Sequence, residues 1–482
     1  MRFIQVGVQA LGLLFFCTSC SLKHESEVLD KLNLPENWGQ AASANDLADI
    51  ARDSDEDKAY FIEEFNWVKS LFGQNFHHLT KQAITSNINL NKQYYSIQQS
   101  KLSLTSENSK YLPVLNSNFE FHRNKDRTNL KLGAASAMPL DVWGKLGDQV
   151  KQKQFTYWQN IIRYQSQQFD LAMQFSKLHL QVIQSTKLQN LLFEKVDIAA
   201  RKLNSLEKQY KRGLVNLSAV YGARNAYRSA EANLLKEQNQ LAQLNRNISI
   251  IFGDYPQLHE DILSEFKLDD SLPELPKVLP AQLLEQRADL RLAWLNILNQ
   301  QTNVAIQYKN RFPSFSLTLD TEESSDELSK LVKFGDITWN LKAKVFAPIF
   351  AAGRYKRAQQ SAEIELDKVE LNYLITAYNA FLQVENSLSK KQLTEYEIDT
   401  AEILWANSQQ ALRLAENRYH QGLGNYATYL NAQNALIDNE IKLIKAKFNH
   451  ITQYLNLYSA LGGDWFDSAQ APESSNNNSK GS

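Results

Sequence analysis

From Tyr210 the chain reads YKRGLVNLSAVYGARNAYRSAEANL, and from Tyr419 it reads YHQGLGNYATYLNAQNALIDNEIKL. Adding 209 to a residue number in the first stretch gives its counterpart in the second, so that Gly213 matches Gly422. The match continues without a gap over residues 139–253 and 348–462. An internal repeat of this size makes each half of the chain one copy of a large structural unit.

The intervals between the repeated glycines predict very long helices. Between Gly147 and Gly213, and again between Gly353 and Gly422, the chain contains no Gly or Pro. Each interval is therefore interpreted as one helix of roughly 65 residues, near 100 Å long. Apolar residues recur there at spacings of three and four among many polar ones, which is typical of a coiled-coil seam. Because the helical pattern resumes after each tip glycine, each half is predicted to form a helical hairpin.

Four segments alternate apolar and polar side chains, which is the period of a β-strand. In the fourth, Trp339, Leu341 and Val345 alternate with Asn340 and Lys344. The predicted strands cover about 113–122, 129–139, 312–320 and 337–347. Each is long enough to cross a bilayer when tilted. A small soluble β-sandwich is the alternative, and the wholly polar second face of each strand disfavours it.

The same patterns divide the chain into segments. The loop of the first hairpin is short, whereas the loop of the second, from Asp320 to Asp336, is long and acidic. We expect a signal peptide at 1–19, a lead-in at 20–57, a first repeat at 58–253, a linker at 254–280, a second repeat at 281–466 and a disordered tail at 467–482.

Residues 1–19 are interpreted as a secretion signal rather than a membrane span. Arg2 precedes an apolar run, and the small residues Thr18 and Ser19 precede Cys20. We interpret the segment as a bacterial lipoprotein signal, in which Cys20 becomes the new N-terminus and carries diacylglycerol and N-acyl chains. Cys17 stands where Leu is usual, and the alternative is an ordinary signal peptide with an incidental Cys. Apart from this lipid, no cofactor is expected.

Four spanning strands cannot close a barrel alone, because a bilayer cannot hydrate an open sheet edge. Cyclic symmetry gives barrels whose strand number is a multiple of four. Two copies would leave an interior filled by side chains, whereas three give twelve strands and room for a pore. The predicted fold is mainly α with a transmembrane β-barrel portion, with four strands per chain in a twelve-stranded trimeric barrel that an α-helical barrel continues.

Other classes of function are disfavoured. The net charge of −1 over 482 residues gives no electrostatic reason to expect nucleic acid. His77-His78 has no further ligand at metal spacing, and no HExxH, GxSxG or P-loop motif is present, so neither a metal site nor an enzyme is expected.

The chain resembles the TolC-like outer-membrane efflux proteins, and among them the NodT-type lipoprotein branch. The resemblance spans Cys20 to Trp465. The motifs that carry it are the lipid-site Cys20, Leu34-Pro35-Glu36-Asn37-Trp38, Trp67 with Phe72-Gly73, Tyr111-Leu112-Pro113, residues 139–145 (PLDVWGK) and 348–354 (PIFAAGR), the tip glycines, and residues 283–289 (LLEQRAD) and 460–465 (ALGGDW). It implies a homotrimer in the bacterial outer membrane with a periplasmic tunnel, which docks to a periplasmic adaptor and an inner-membrane pump and expels small molecules.

The resemblance also assigns sites. The adaptor-docking tips are Arg212, Gly213, Leu214, Gln421, Gly422 and Leu423, although the glycines could serve the turn alone. Family members commonly close the tunnel with acidic side chains after the second tip, where this chain has Gly424, Thr428 and Asn431. The expected gate is instead uncharged and hydrogen-bonded between subunits, formed by Tyr419, Asn425, Tyr426, Thr428, Tyr429 and Asn431. A plain helical core is the alternative for Tyr429.

On the polar strand faces, Lys131, Lys342 and Lys344 are expected to line the barrel lumen and favour anions. Neutral pairing with Glu120 or Asp320, or snorkelling to the interface, is the alternative.

Two other functions stay open. One is the outer-membrane duct of a type I protein secretion system, because similar tunnels carry drugs, metals, siderophores and polypeptides. The other is a periplasmic coiled-coil adaptor or structural tether, which long helices alone would satisfy. The duplicated strand pairs disfavour it, since adaptors carry one helical hairpin between the halves of a lipoyl-like domain.

Overall fold

The computed structural model describes residues 65–125, 128–256, 272, 287–325 and 338–463. Outside these residues lie the predicted signal peptide with Cys20, almost all of the region before the first repeat's helices, most of the linker, most of the second hairpin loop, and the tail.

The first repeat contains five α-helices, a three-residue 3-10 helix (Ser109–Tyr111) and two strands in its described part. They are α1 (Asn66–Phe72), α2 (Gln74–Ser86), α3 (Ile88–Asn108), β1 (Val114–Arg123), β2 (Thr128–Leu140), α4 (Lys145–Lys211) and α5 (Leu217–Ile251).

The second repeat contains three helices and two strands in its described part. They are α6 (Ala288–Lys309), β3 (Ser314–Ser325), β4 (Thr338–Phe346), α7 (Arg354–His420) and α8 (Tyr426–Ala460). The predicted order of helix, two strands, long helix, tip and helix is confirmed in both halves. α4 and α7 each have 67 residues, and α5 and α8 each have 35. At 1.5 Å per residue, such a long helix extends about 100 Å.

One boundary prediction is wrong. β3 continues to Ser325 rather than ending near residue 320, so the first acidic residues assigned to the hairpin loop belong to a strand. The reason is the length of β2, whose residues from Leu130 pair with β3 as far as Ser325. The polar sequence of this extension concealed it, because alternation stops at Thr321.

The four strands form one antiparallel sheet in the order β1-β2-β3-β4, so β1 and β4 are its edges. The central pair, β2 with β3, joins the two repeats in register from Leu130 opposite Ser325 to Leu140 opposite Phe315. The sheet thus requires both copies of the repeat.

The sheet has an apolar face that is open to its surroundings. Every residue of β1 and β4 is exposed. Leu115 is 74% exposed and Trp339 is 70% exposed, and both lie on the same face of the sheet as Phe119 and Leu341. A contiguous exposed apolar surface of this kind marks contact with a membrane or another protein.

The chain divides into two compact units, and each unit takes segments from both repeats. One unit contains the sheet within Gln99–Gln159 and Ala293–Leu374, and the other contains the described parts of Gln40–Gln98, Asn160–Leu292 and Ile375–Ser482. Within the described residues, no helix is both long enough and apolar enough to cross a membrane.

In the sheet unit, an aspartate starts the first long helix. Asp141 accepts hydrogen bonds from the backbone nitrogens of Leu146 and Gly147, both at 2.9 Å. This contact satisfies amides that the first turn of α4 leaves without a helical partner. Trp143 donates its indole N–H to the carbonyl of Pro313 at 2.7 Å and thereby ties the β2–α4 corner to the start of β3.

In the second unit, α1 and α2 pack on the long helices through aromatic rings. Trp67 lies 5.2 Å from Tyr458 between ring centroids, and Phe76 stacks on Phe175 at 4.7 Å and on His179 at 4.5 Å. Fully burying one large apolar side chain stabilises the fold by roughly 1.5 to 3 kcal/mol. Burial lowers the pKa of His179 to about 4, so this ring is neutral near pH 7.

Candidate functional site

The two tips share one backbone conformation. Gly213 has φ of 74° and Gly422 has φ of 72°, in the left-handed region that favours glycine. The Gly213 nitrogen donates to the carbonyl of Tyr210 at 2.9 Å, and the Gly422 nitrogen donates to the carbonyl of Tyr419 at 3.0 Å. Each glycine therefore ends a long helix and turns the chain toward the next one.

An asparagine starts the helix after each tip. Asn216 accepts a hydrogen bond from the Ala219 nitrogen at 3.0 Å. Asn425 accepts from both the nitrogen and the hydroxyl of Thr428, at 2.7 and 2.8 Å. An N-cap of this type is worth about 1 kcal/mol. Two residues predicted for the gate, Asn425 and Thr428, thus make a helix cap within the chain.

The predicted docking residues are exposed at both tips. Leu214 is 69% exposed and Leu423 is 77% exposed. A Cβ atom added at Gly213 or Gly422 would meet no heavy atom within 4 Å. The tips therefore present two leucines and two uncrowded turns, and adaptor docking there stays a prediction.

Three of the predicted gate residues form an aromatic cluster beside the second tip. The Tyr419 ring lies parallel to the Tyr429 ring at 5.7 Å between centroids, and Tyr426 lies 5.3 Å from Tyr419 and 6.2 Å from Tyr429. Tyr426 and Tyr429 also pack against a buried apolar cluster that includes Leu191 and Leu430. The alternative of a helical core role for Tyr429 is thus supported, and Tyr419, which is 37% exposed, stands outside that buried cluster.

The remaining gate positions have local roles in the chain. Asn431 accepts a hydrogen bond from the Lys202 ammonium at 2.8 Å. At Gly424, a Cβ atom would lie 3.2 Å from the Cβ of Arg418, so a larger residue there would crowd the turn. Hydrogen bonding of these residues between subunits stays a prediction.

The lysines on the polar face of the sheet are largely neutralised. Lys131 forms an ion pair with Glu322 at 2.8 Å, and Lys342 forms one with Asp320 at 2.9 Å. Within one chain these two lysines are thus paired as the neutral alternative expects, although the contact partner of Lys131 is Glu322 rather than Glu120. That the three lysines line a barrel lumen stays a prediction. Lys344 has no ion pair within the described part of the chain.

Arg287, for which the sequence predicted no structural role, lies in a cavity of about 330 Å³ in the second unit. Its buried guanidinium donates to Asp289, to the amide oxygen of Gln383 at 2.8 Å and to the carbonyl of Ala460. This network ties the start of α6 to α7 and to the end of α8. The motif LLEQRAD was the available signal, but two of these partners lie 96 and 173 residues away in the chain.

Asp170 also lines this cavity, and burial is the main cause that raises its pKa. The positive charge of Lys177 opposes this rise, and the negative charge of Asp289 adds to it.

Among the described residues, no group of three His, Cys, Asp or Glu side chains is arranged to hold a metal ion.

The chain matches a known protein family over most of its length. The family model described as "Outer membrane efflux protein" matches residues 79–254 and 279–463. The chain is 30% identical over 293 residues to the cation efflux system protein CusC of Escherichia coli, which covers 59% of this chain and 63% of CusC. It is 29% identical over 294 residues to SilC of Salmonella typhimurium, a probable outer membrane lipoprotein, with the same coverage of 59% and 63%.

The fold is also similar to a solved structure. The crystal structure of the Campylobacter jejuni CmeC outer membrane channel superposes with a TM-score of 0.74 at 20% identity, over 83% of this chain and 88% of CmeC. The chain spans less than two thirds of the length of CusC and SilC.

Proposed function

Because this chain belongs to the Outer membrane efflux protein family, we propose that it is the outer-membrane exit duct of a tripartite efflux system. Three copies form a twelve-stranded β-barrel in the bacterial outer membrane and a helical tunnel in the periplasm. The duct docks to a periplasmic adaptor and an inner-membrane pump, and the pump drives the export of small molecules.

One observation carries the proposal, namely the exposed apolar face of a four-stranded sheet whose two edges lack partners among the described strands. In water such a face and such edges favour aggregation. In a bilayer the face contacts lipid, and closure with other copies satisfies the edges. Three copies are the smallest cyclic assembly of this sheet that leaves room for a pore.

The tips are the proposed adaptor contacts. Both turns leave the Cβ direction of their glycine open and expose a leucine, so a partner can approach the backbone closely. The tyrosine cluster at the second tip is the proposed gate of the tunnel. Opening then requires these rings to separate, and the packing of Tyr426 and Tyr429 against the buried apolar cluster opposes that separation.

Lipidation of Cys20 is proposed as the anchor of the N-terminus. The similarity to SilC, a probable outer membrane lipoprotein, supports it. Replacing Cys20 by Ala should abolish labelling with a palmitate analogue, and retained label would refute lipidation at this residue.

The membrane assignment is tested by two neighbouring substitutions in β4. Leu341 lies on the apolar face and Asn340 on the polar face. A lysine on the lipid-facing side of a barrel costs roughly 2 to 4 kcal/mol near the bilayer midplane, whereas lumen positions tolerate it. We therefore expect Leu341→Lys to deplete the protein from the outer-membrane fraction, and Asn340→Lys to leave it in place. Equal amounts of both variants in that fraction would contradict a lipid-facing apolar surface.

Transport is tested by co-expression with an adaptor and a pump in a host that lacks its own outer-membrane channel. Export of the pump's substrate should depend on this chain, and the purified protein should conduct ions in planar bilayers. A periplasmic adaptor or tether would conduct none. The two hairpins and the sheet favour the duct over that alternative.

A further inference from the structure

The two edge strands of the sheet complement each other. Every residue of β1 and β4 is exposed, and neither strand has a second neighbour among the described strands. In the proposed barrel β4 of one chain adjoins β1 of a second copy, and we infer the register of this antiparallel pair, which places Lys344 opposite Glu120 of the second copy. This inference rests on the proposed trimeric duct and specifies the contact between its subunits.

The internal repeat supplies the register. An offset of 200 relates β1 to β3, because Pro113 precedes β1 and Pro313 precedes β3. An offset of 209 relates β2 to β4, because it matches Pro139 in β2 with Pro348 after β4. These offsets can be checked on strand pairs within the chain. In the β1–β2 pair of Val114 with Ala137, adding 200 to the first number and 209 to the second gives Ser314 and Phe346. These two residues are indeed paired between β3 and β4.

The remaining strand pair within the chain, β2 with β3, is then the template for the contact between chains. In its observed pair of Ala135 with Asp320, adding 209 to the β2 residue gives Lys344 in β4. Subtracting 200 from the β3 residue gives Glu120 in β1 of the second copy. Its pair Ser136 with Leu319 converts into Val345 with Phe119 of the second copy. The edge strands β4 and β1 are therefore equivalent by the repeat to β2 and β3, which already pair within the chain.

Side-chain chemistry supports this register independently of the offsets. A slip by one residue would place apolar side chains against polar ones, because strand faces alternate. In the inferred register, Val345 and Phe119 share the apolar face. On the polar face, Lys344 has no ion pair within the described part of the chain. Glu120 lies opposite Lys131 and attracts it electrostatically, but the ammonium of Lys131 forms its contact ion pair with Glu322, so the Glu120 carboxylate can also face a lysine of a second copy. Opposite charges directly across two strands stabilise the pair.

Paired cysteine substitutions test the register. The only native cysteines are Cys17 and Cys20, at the predicted signal and lipid site, so introduced pairs supply the reactive thiols. The full-length chain that carries both Lys344→Cys and Glu120→Cys is oxidised in outer-membrane vesicles to form direct disulfides. No bifunctional cross-linking reagent is added. Directly opposed Cβ atoms lie about 4.5 to 5.5 Å apart, and diagonal ones about 7 to 8 Å, so a disulfide reports the opposed pair.

The matched controls keep Lys344→Cys and move the second cysteine by two residues on the same face, to Asn118→Cys or His122→Cys. We expect disulfide-linked dimers and trimers on denaturing gels for the Glu120→Cys pair, several-fold above both controls. A higher yield from either control overturns the register, as does the absence of links in chains that form oligomers. If the Glu120→Cys variant fails to assemble, Val345→Cys with Phe119→Cys tests the same register on the other face.

The oligomeric state of the unsubstituted protein distinguishes a wrong register from the absence of a trimeric duct. An oligomer on unheated gels without cross-linking at the opposed pairs refutes the register alone. A monomer in the outer-membrane fraction refutes the trimeric duct, and the register with it.

Discussion

The two tips have the same backbone and different side chains. Both turn at a glycine with positive φ and both restart the helix at an asparagine cap. Beside the first tip, Leu217 and Val220 occupy the positions that Tyr426 and Tyr429 occupy beside the second. The duplicated residues thus preserve the turn, which both tips need, whereas the divergent ones build an aromatic cluster at the second tip only. We interpret the turn as the docking element and the cluster as the gate.

The largest expected effect follows from changing what the two tips share. Gly213→Glu combined with Gly422→Glu should abolish efflux through a co-expressed adaptor and pump, because a carboxylate would project from each docking turn. Open space around both Cβ positions allows the chain to fold. The positive φ adds strain of about 1 to 2 kcal/mol per site. Efflux is measured as accumulation of the pump's substrate in cells.

The matched control is Gly213→Ala with Gly422→Ala, which imposes the same strain without bulk or charge. It should retain most of the efflux. If the alanine pair loses efflux as completely as the glutamate pair, the glycines serve the turn alone and the docking interpretation is wrong.

A smaller effect is expected from changing what distinguishes the tips. Tyr426→Ala removes the ring contacts with Tyr419 and Tyr429. Each such aromatic pair is worth about 0.5 to 1.5 kcal/mol beyond its buried area, so the closed state loses roughly 1 to 3 kcal/mol per subunit. The open probability of single channels in planar bilayers should rise. Leu217→Ala, the counterpart in the first repeat, should leave it unchanged, and an equal rise for both variants would remove the distinction between the tips.

The smallest effect concerns the two helix caps. Asn216→Ala removes one hydrogen bond and should destabilise the first turn of α5 by about 1 kcal/mol. Asn425→Ala removes two bonds and should destabilise the first turn of α8 by more. Amide hydrogen exchange at Ala219 and Thr428 measures both losses. Equal protection before and after the substitutions would show that neither asparagine stabilises its helix.

Local patterns in the sequence were sufficient for the helices and strands. The long intervals without Gly or Pro predicted α4 and α7, and alternation predicted four strands. The end of β3 was missed because its last residues are polar, and their pairing depends on β2, which is distant in the chain. The strand propensity of a short segment does not reveal a pairing partner that is distant in the chain.

The same limit applies to the candidate site. The repeat identified both tip glycines, since the same residue recurs at equivalent positions in the two halves of one chain. It could not show that Asn425 and Thr428 bond to each other as a cap, that Asn431 bonds to Lys202, or that Lys131 prefers Glu322. Those contacts depend on rotamers and on the register between elements, which composition and spacing leave undetermined.

The central claim is that three copies of this chain form one duct in the outer membrane. Native mass spectrometry of the protein extracted in detergent from the outer-membrane fraction tests it most directly. The account predicts a homotrimer with a mass three times that of the mature, lipid-modified chain. A monomer, or recovery of the protein chiefly from the soluble periplasmic fraction, would contradict it.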